Sequence, residues 1–250
     1  MTGALEDLTG TKPTEIDRDI YEISPVIGGA HYDRIAPLYD AVLATNVYSR
    51  LMWKTTPAAY RAFATRVFES RSSGTHVEIG CGSLLFTSHL YEQDRGRPSI
   101  LIDQSLEMLR RARTRLEQRT GSFPRHVILA RGDARTLDFV RGTAATVLSA
   151  FVMHVLDDPL PLLRSLSRVA RPADSTIGVS SIFKSGGRSN VALRLLHAAG
   201  ELGPPRTLAT IEQMMRAEIP GDLEVEISGS VALMTVNTSS SRVSAEHPGI

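Results

Sequence analysis

The stretch His76-Val77-Glu78-Ile79-Gly80-Cys81-Gly82-Ser83 decides the fold. A short aliphatic run ending in two glycines one residue apart reads as a buried strand followed by a turn that only glycine enters without strain. A strand that ends so and opens a helix brings main chain close to a ligand and aims free N–H groups at an anionic part. A dinucleotide fingerprint would carry a third glycine, where Leu85 stands. Glu78, two residues before the first glycine, suits a ligand ammonium instead.

Working outward, aliphatic or β-branched runs at 76–79, 99–103, 126–130, 145–150 and 175–183 alternate with amphipathic segments, the rhythm of βαβ units around a parallel sheet. The clearest helix follows Ser105, a plausible N-cap, with Leu109, Ala112 and Leu116 on one stripe; another spans 161–170 and stops before Pro172. A polar loop and a helix over about 208–217 lead to a hairpin, 223–227 and 231–236 around Ser228-Gly229-Ser230. The expected architecture is an α/β, Rossmann-like, seven-stranded, mostly parallel sheet with an antiparallel last strand. Asp103 ends the second strand 23 residues beyond Gly80, near the separation used for ribose recognition. Arg131-Gly132-Asp133-Ala134 ends the third and offers Asp133 to an adenine amino group. A ligand bearing amine, carboxylate and ribose fits the first two strand ends.

In these motifs the sequence resembles the class I S-adenosylmethionine-dependent methyltransferases, over about 32–237. The resemblance implies Glu78, Gly80 and Gly82 around the methionine part, Asp103 on the ribose hydroxyls, Asp133 and Ala134 at the adenine edge, Phe151 flanking it, and Cys81, Gln104 and Met108 also at the cofactor. It departs at Leu84, where a third motif glycine often stands, and at Ala145, where many relatives have Asp. The stretch from Tyr32 to Asp40, continuing to Trp53, is similar to the lid of ubiquinone and menaquinone biosynthesis methyltransferases and their natural-product tailoring relatives. By that likeness Tyr32 covers the cofactor, and Tyr39, Trp53 and His31 face the acceptor. The division expected is a flexible leader over 1–30, a helical lid over 31–73, the cofactor-binding domain over 74–238 and a disordered tail over 239–250.

His154, following the fourth strand, is the first candidate for a general base, with a buried hydrogen-bonded histidine as the alternative. Cys81 between two glycines has no positioned base beside it and reads as spacing rather than a nucleophile. It is the sole cysteine, so no internal disulfide forms, and the seven histidines show no metal-ligand spacing. A formal charge of +1 gives no field that would gather nucleic acid, so the expected partner is a small molecule. No apolar run reaches 18 residues and no signal-peptide pattern opens the chain, from which a cytoplasmic protein, monomeric or homodimeric, is expected. The expected reaction is O- or C-methylation of a secondary metabolite or quinone-like compound by S-adenosylmethionine, releasing S-adenosylhomocysteine. A non-methylating binder or cyclase on the same fold, or a nicotinamide oxidoreductase, stand as alternatives.

Overall fold

A computed structural model describes residues 2–10, 12–24, 26, 46–93, 97–133, 135–136, 139 and 141–238. Its strands are β1 (Thr14–Asp17), β2 (Ile20–Glu22), β3 (Thr75–Ile79), β4 (Ser99–Asp103), β5 (Val127–Arg131), β6 (Ala144–Ala150), β7 (Thr176–Ile182), β8 (Asp222–Ser228) and β9 (Val231–Asn237). They form one sheet in the order β1-β2-β5-β4-β3-β6-β7-β9-β8. Strands β2 to β7 pair in parallel, whereas β9 runs antiparallel to both β7 and β8. The order reverses at β3, which has β4 on one side and β6 on the other, and such a switch point opens a crevice at the carboxyl ends of the strands.

The aliphatic runs make central strands because parallel strands are covered on both faces. Val77, Ile79, Ile100, Ile102, Ile128 and Val147 belong to one apolar cluster, and Leu101, Leu129 and Leu148 to the other, as side chains alternating along a strand must. The edge strand β8 is instead half exposed and carries Glu224 and Glu226, charges that deter edge-to-edge pairing.

The helices are α1 (Thr2–Thr9), α2 (Asn46–Trp53), α3 (Pro57–Glu69), α4 (Leu106–Thr120), α5 (Leu160–Val169), α6 (Gly187–Ala198) and α7 (Leu208–Glu218). Helix α4 starts where Ser105 accepts from the Met108 N–H and ends at Gly121, which adopts the left-handed conformation. Helix α3 is capped by Thr56 and packs on β6 and β7. Gly178 on β7 makes room for it, since a Cβ there would lie 2.5 Å from Val67 Cγ2. The described part of the segment expected as a lid is therefore largely a covering layer of the sheet. Residues 27–45, which hold the rest of that segment, and the expected tail at 239–250 lie outside the described residues.

The leader expected to be flexible over 1–30 is corrected for its described residues, 2–10 and 12–24. Leu5 and Leu8 of α1 are fully buried in the cluster that holds Ile128 and Ala130, and β2 extends the sheet beyond β5 with Ile20 fully buried. The sheet thus has two strands more than the seven expected. The physical reason lies across the fold: the connection from β5 to β6 carries no helix among its described residues, and α1 supplies apolar side chains to that side. Three apolar positions and two very short strands are too weak a local signal to reveal this. Leu8→Ala is expected to lower stability by about 2–5 kcal/mol in chemical denaturation, as for other buried leucines. A cost near zero would restore the flexible leader.

Candidate functional site

A cavity of about 180 Å³ opens at the carboxyl ends of β3, β4, β5 and β6. Nine residues expected at a cofactor line it: Glu78, Gly80, Cys81, Gly82, Asp103, Gln104, Met108, Asp133 and Phe151. Ala134 lies outside the described residues, as do His31, Tyr32 and Tyr39.

The turn after β3 is built by backbone conformations of positive φ. Gly80 has φ +72°, and its N–H and that of Cys81 both donate to the Ile102 carbonyl at 2.8 and 3.1 Å. Gly82 has φ +54°, and its N–H donates to Asp103 Oδ2 at 2.8 Å. The other carboxylate oxygen of Asp103 accepts from the Ser105 N–H at 2.9 Å, so one acid ties the turn to the start of α4. A Cβ on Gly82 would meet nothing within 4 Å, so the glycine leaves to the cavity the space a side chain would fill.

The turn does not open an α-helix, which corrects the expectation of a helix N-terminus aimed at the ligand. Leu84 also has positive φ, and the next regular element is one 3-10 turn, Ser88–Tyr91. Alternating left-handed residues cannot propagate a helix. The loop is instead held by Glu78, whose carboxylate accepts from Thr87 Oγ1 at 3.0 Å and from the Tyr91 hydroxyl. Burial pushes Glu78 up to about 7, against those two donations and with a further push from Asp103. The Cys81 thiol is raised well above its usual range by burial and by Asp103 and Glu78, so it stays protonated and serves as a small spacer.

At the third strand end Asp133 is buried and gripped by Arg135 through a forked pair of contacts, Nε to Oδ1 at 2.9 Å and Nη2 to Oδ2 at 2.6 Å. Burial works to raise its pKa, but Arg135 outweighs it and holds the carboxyl below the usual value. The Asp133 N–H donates to Ser24 Oγ at 3.2 Å, and a Cβ on Gly132 would lie 2.9 Å from Ile23 Cγ1. The N-terminal chain thus buttresses this corner, a role hidden in the sequence because Ser24 sits where no periodicity announces structure.

Beyond β6, Phe151 holds φ +63° and its N–H is shared between the carbonyl and hydroxyl of Ser180 at 3.3 and 3.1 Å. A left-handed aromatic residue costs on the order of 1–3 kcal/mol and concentrates at functional sites. Its ring stands edge-on to Tyr60 at 4.5 Å, and Tyr60 meets Phe86 at 5.3 Å. Phe86 and Phe151 line the cavity, so this wall is aromatic.

Two further expectations change. His154 is buried, does not line the cavity, and its Nδ1 accepts from the Ile182 N–H at 3.4 Å. Burial and then Arg206 push its pKa down to about 3. A neutral ring with its lone pair engaged is a poor general base, so the buried hydrogen-bonded alternative describes it. Trp53 lies in the core beside the β8–β9 turn, its carbonyl accepting from the Ser230 N–H at 2.8 Å, and it does not line the cavity. Among the described residues no group of His, Cys, Asp and Glu could hold a metal ion, and no helix is long and apolar enough to cross a membrane.

Residues 77–176 match the protein family described as a methyltransferase domain. An uncharacterized chloroplastic methyltransferase of Arabidopsis thaliana is 23% identical over 175 residues, 65% of this chain and 49% of that protein, so the chain spans about half the length of this curated relative. A SAM-dependent methyltransferase of Thermotoga maritima has a similar structure, with TM-score 0.61 and 15% identity over 84% of this chain and 99% of the other. A phosphoethanolamine N-methyltransferase of Haemonchus contortus, solved with phosphomonomethylethanolamine and S-adenosylhomocysteine, gives TM-score 0.59 and 18% identity over 78% of this chain and 43% of its own. The chain has the fold of the S-adenosylmethionine-dependent methyltransferases, and the strand ends that form its cavity, from Glu78 to Phe151, fall inside the matched methyltransferase domain.

Proposed function

We propose that the chain is an S-adenosylmethionine-dependent methyltransferase acting on a small-molecule acceptor. One observation carries the reading: Glu78, Asp103 and Asp133, from three successive strand ends, line a single cavity beside a glycine that leaves its side-chain space open. When bound, S-adenosylmethionine supplies an electrophilic methyl carbon on a sulfonium. Glu78 would face its ammonium, the space left open at Gly82 would take its methionine end, and Asp103 would accept from the ribose hydroxyls. Asp133 and Met108 border the adenine.

The chain mainly positions and excludes water. Displacement at a methyl carbon needs the nucleophile in line and close, and an apolar surround favours a step in which the sulfonium charge disappears. Phe86 and Phe151, backed by Tyr60, provide that surround, which supports an acceptor with an aromatic or other apolar face, such as a quinone-like compound or secondary metabolite methylated on oxygen or carbon. With His154 neutral and turned to the backbone, the acceptor brings its own acidity, as a phenol or enol does.

Calorimetry with S-adenosylhomocysteine and with NADH, followed by transfer of labelled methyl from S-adenosylmethionine to a panel of phenols and quinols, tests this. Binding of the first ligand alone and labelling of an acceptor are expected; cofactor retention without transfer to any acceptor would point to a non-methylating binder. His154→Gln should keep turnover within about tenfold of the parent, because a general base contributes about a hundredfold or more. A loss above that, with a displaced pH–rate profile, would return His154 to the catalytic machinery.

A further inference from the structure

Behind the cavity wall lies a run of polar side chains that the methyl-transfer reading leaves unused. Arg97 Nη2 donates to Thr146 Oγ1 at 2.6 Å, Thr146 Oγ1 is 2.8 Å from His76 Nδ1, and His76 Nε2 is 3.1 Å from the Tyr91 hydroxyl. The Tyr91 hydroxyl donates to Glu78 Oε2. All five residues are buried. Arg97 is further fixed by the Arg71 carbonyl and by the Phe68 ring, whose centroid lies 4.4 Å from the guanidinium carbon.

With the His76 hydrogen on Nε2, every bond of the run points toward Glu78. A guanidinium only donates, so Thr146 accepts from it, and in this tautomer gives its single hydrogen to His76 Nδ1. The His76 proton then sits on Nε2 and goes to the Tyr91 oxygen, leaving the Tyr91 hydrogen for Glu78. The run is one-way, with a cation at its start and a carboxylate at its end. A proton placed on Glu78 Oε2 would confront the Tyr91 hydrogen. Relief would need Tyr91 to turn, His76 to change tautomer, and Thr146 to accept from both His76 and Arg97 and withdraw its own hydrogen from the run, three linked rearrangements in a packed interior.

We propose that Arg97, Thr146, His76 and Tyr91 are positioning residues for the methyl donor, whose one-way hydrogen-bond chain keeps Glu78 a carboxylate able to receive the donor's ammonium. The inference rests on the cavity being the donor site. The chain opposes a strong pull the other way: burial raises Glu78 and the nearby Asp103 adds to it, and with the donations of Tyr91 and Thr87 set against them the carboxyl stands at about 7. The titratable or charged groups facing Glu78 are Asp103, Cys81 and Tyr91 directly, and His76 and Arg97 through the chain. His76 is held well below its usual value by burial and then by Arg97, so it relays as a neutral ring. Without those donations the buried acid would protonate at still higher pH and lose its hold on a cation.

The test is the affinity of the full chain for S-adenosylhomocysteine, by calorimetry between about pH 5.5 and about pH 8.5, for the parent, Thr146→Val and Tyr91→Phe. Valine matches threonine in shape and suits a strand, and it removes the hydroxyl three hydrogen bonds away from Glu78. Parent affinity should hold above neutrality and fall by about tenfold per pH unit once Glu78 protonates. In both variants the fall should begin at higher pH, by roughly one unit, and Thr146→Ser should restore the parent profile. Should Thr146→Val fail to fold, the same displacement in Thr146→Ala, which also lacks the hydroxyl, carries the test. Superimposable profiles, or a loss by one constant factor at every pH, would overturn the relay while leaving the donor site standing. No binding by the parent at any pH would instead overturn the donor-site reading, and this proposal with it.

Discussion

Gly80→Ala is expected to destabilise the chain by about 2–5 kcal/mol and to weaken S-adenosylhomocysteine binding by more than about a hundredfold. Two costs combine at this position. Gly80 has φ +72°, a conformation that charges any L side chain about 1–2 kcal/mol. Its Cβ would also lie 2.1 Å from Val152 Cγ2, an overlap inside a packed wall. Val152 lines the cavity, so it cannot retreat without entering the space a ligand would use. The turn would yield instead, and with it the N–H donations of Gly80 and Cys81 to Ile102. The double variant Gly80→Ala with Val152→Ala separates the two costs: the steric part should return and the backbone strain should not. Denaturation and calorimetry on both variants would measure this, and a single variant with parent-like values would show the turn to be more pliant than its geometry implies.

Asp103→Ala should reduce S-adenosylhomocysteine affinity by about a hundred- to a thousandfold, more than a lone ribose contact would explain. The carboxylate has a structural duty besides any ligand it meets, because it accepts from the N–H groups of Gly82 and Ser105. Its removal orphans both donors, and each partly buried donor left without a partner costs about 1–3 kcal/mol. The ligand therefore loses an acceptor and also the fixed turn that shapes its carboxylate end. A cycle with a ligand lacking one ribose hydroxyl separates these contributions. Coupling between the substitution and the missing hydroxyl is expected. Equal losses for the two ligands would confine Asp103 to holding the turn.

Much of this was legible in the chain because it depends on neighbours in sequence. Double-sided burial demands the continuous aliphatic runs of β3 to β7, and only glycine suits the open backbone of the turn at Gly80 and Gly82. The acids at the strand ends follow from their position after each run. Capping by Ser105 and the end of α4 at Gly121 are equally local. What local pattern could not convey was which distant group each side chain would meet. Glu78 could be read as an acid facing a ligand, but not as the end of a buried chain that starts at Arg97 and crosses from β6 to β3. His154 had the residue type and position of a base until the Ile182 N–H claimed its nitrogen.

The sequence by itself thus determined the alternating sheet, the glycine turn and the three acids, because strand burial and positive φ are properties of a residue and its nearest neighbours. Tertiary structure alone decided that α1 and the β1–β2 hairpin complete the sheet, that Trp53 belongs to the core, and that Ser24 braces Asp133. It also decided that Glu78 is wired to a guanidinium. Each of these rests on burial and hydrogen bonding between residues far apart in the chain, and a buried polar group takes whichever partner the packed fold brings within reach.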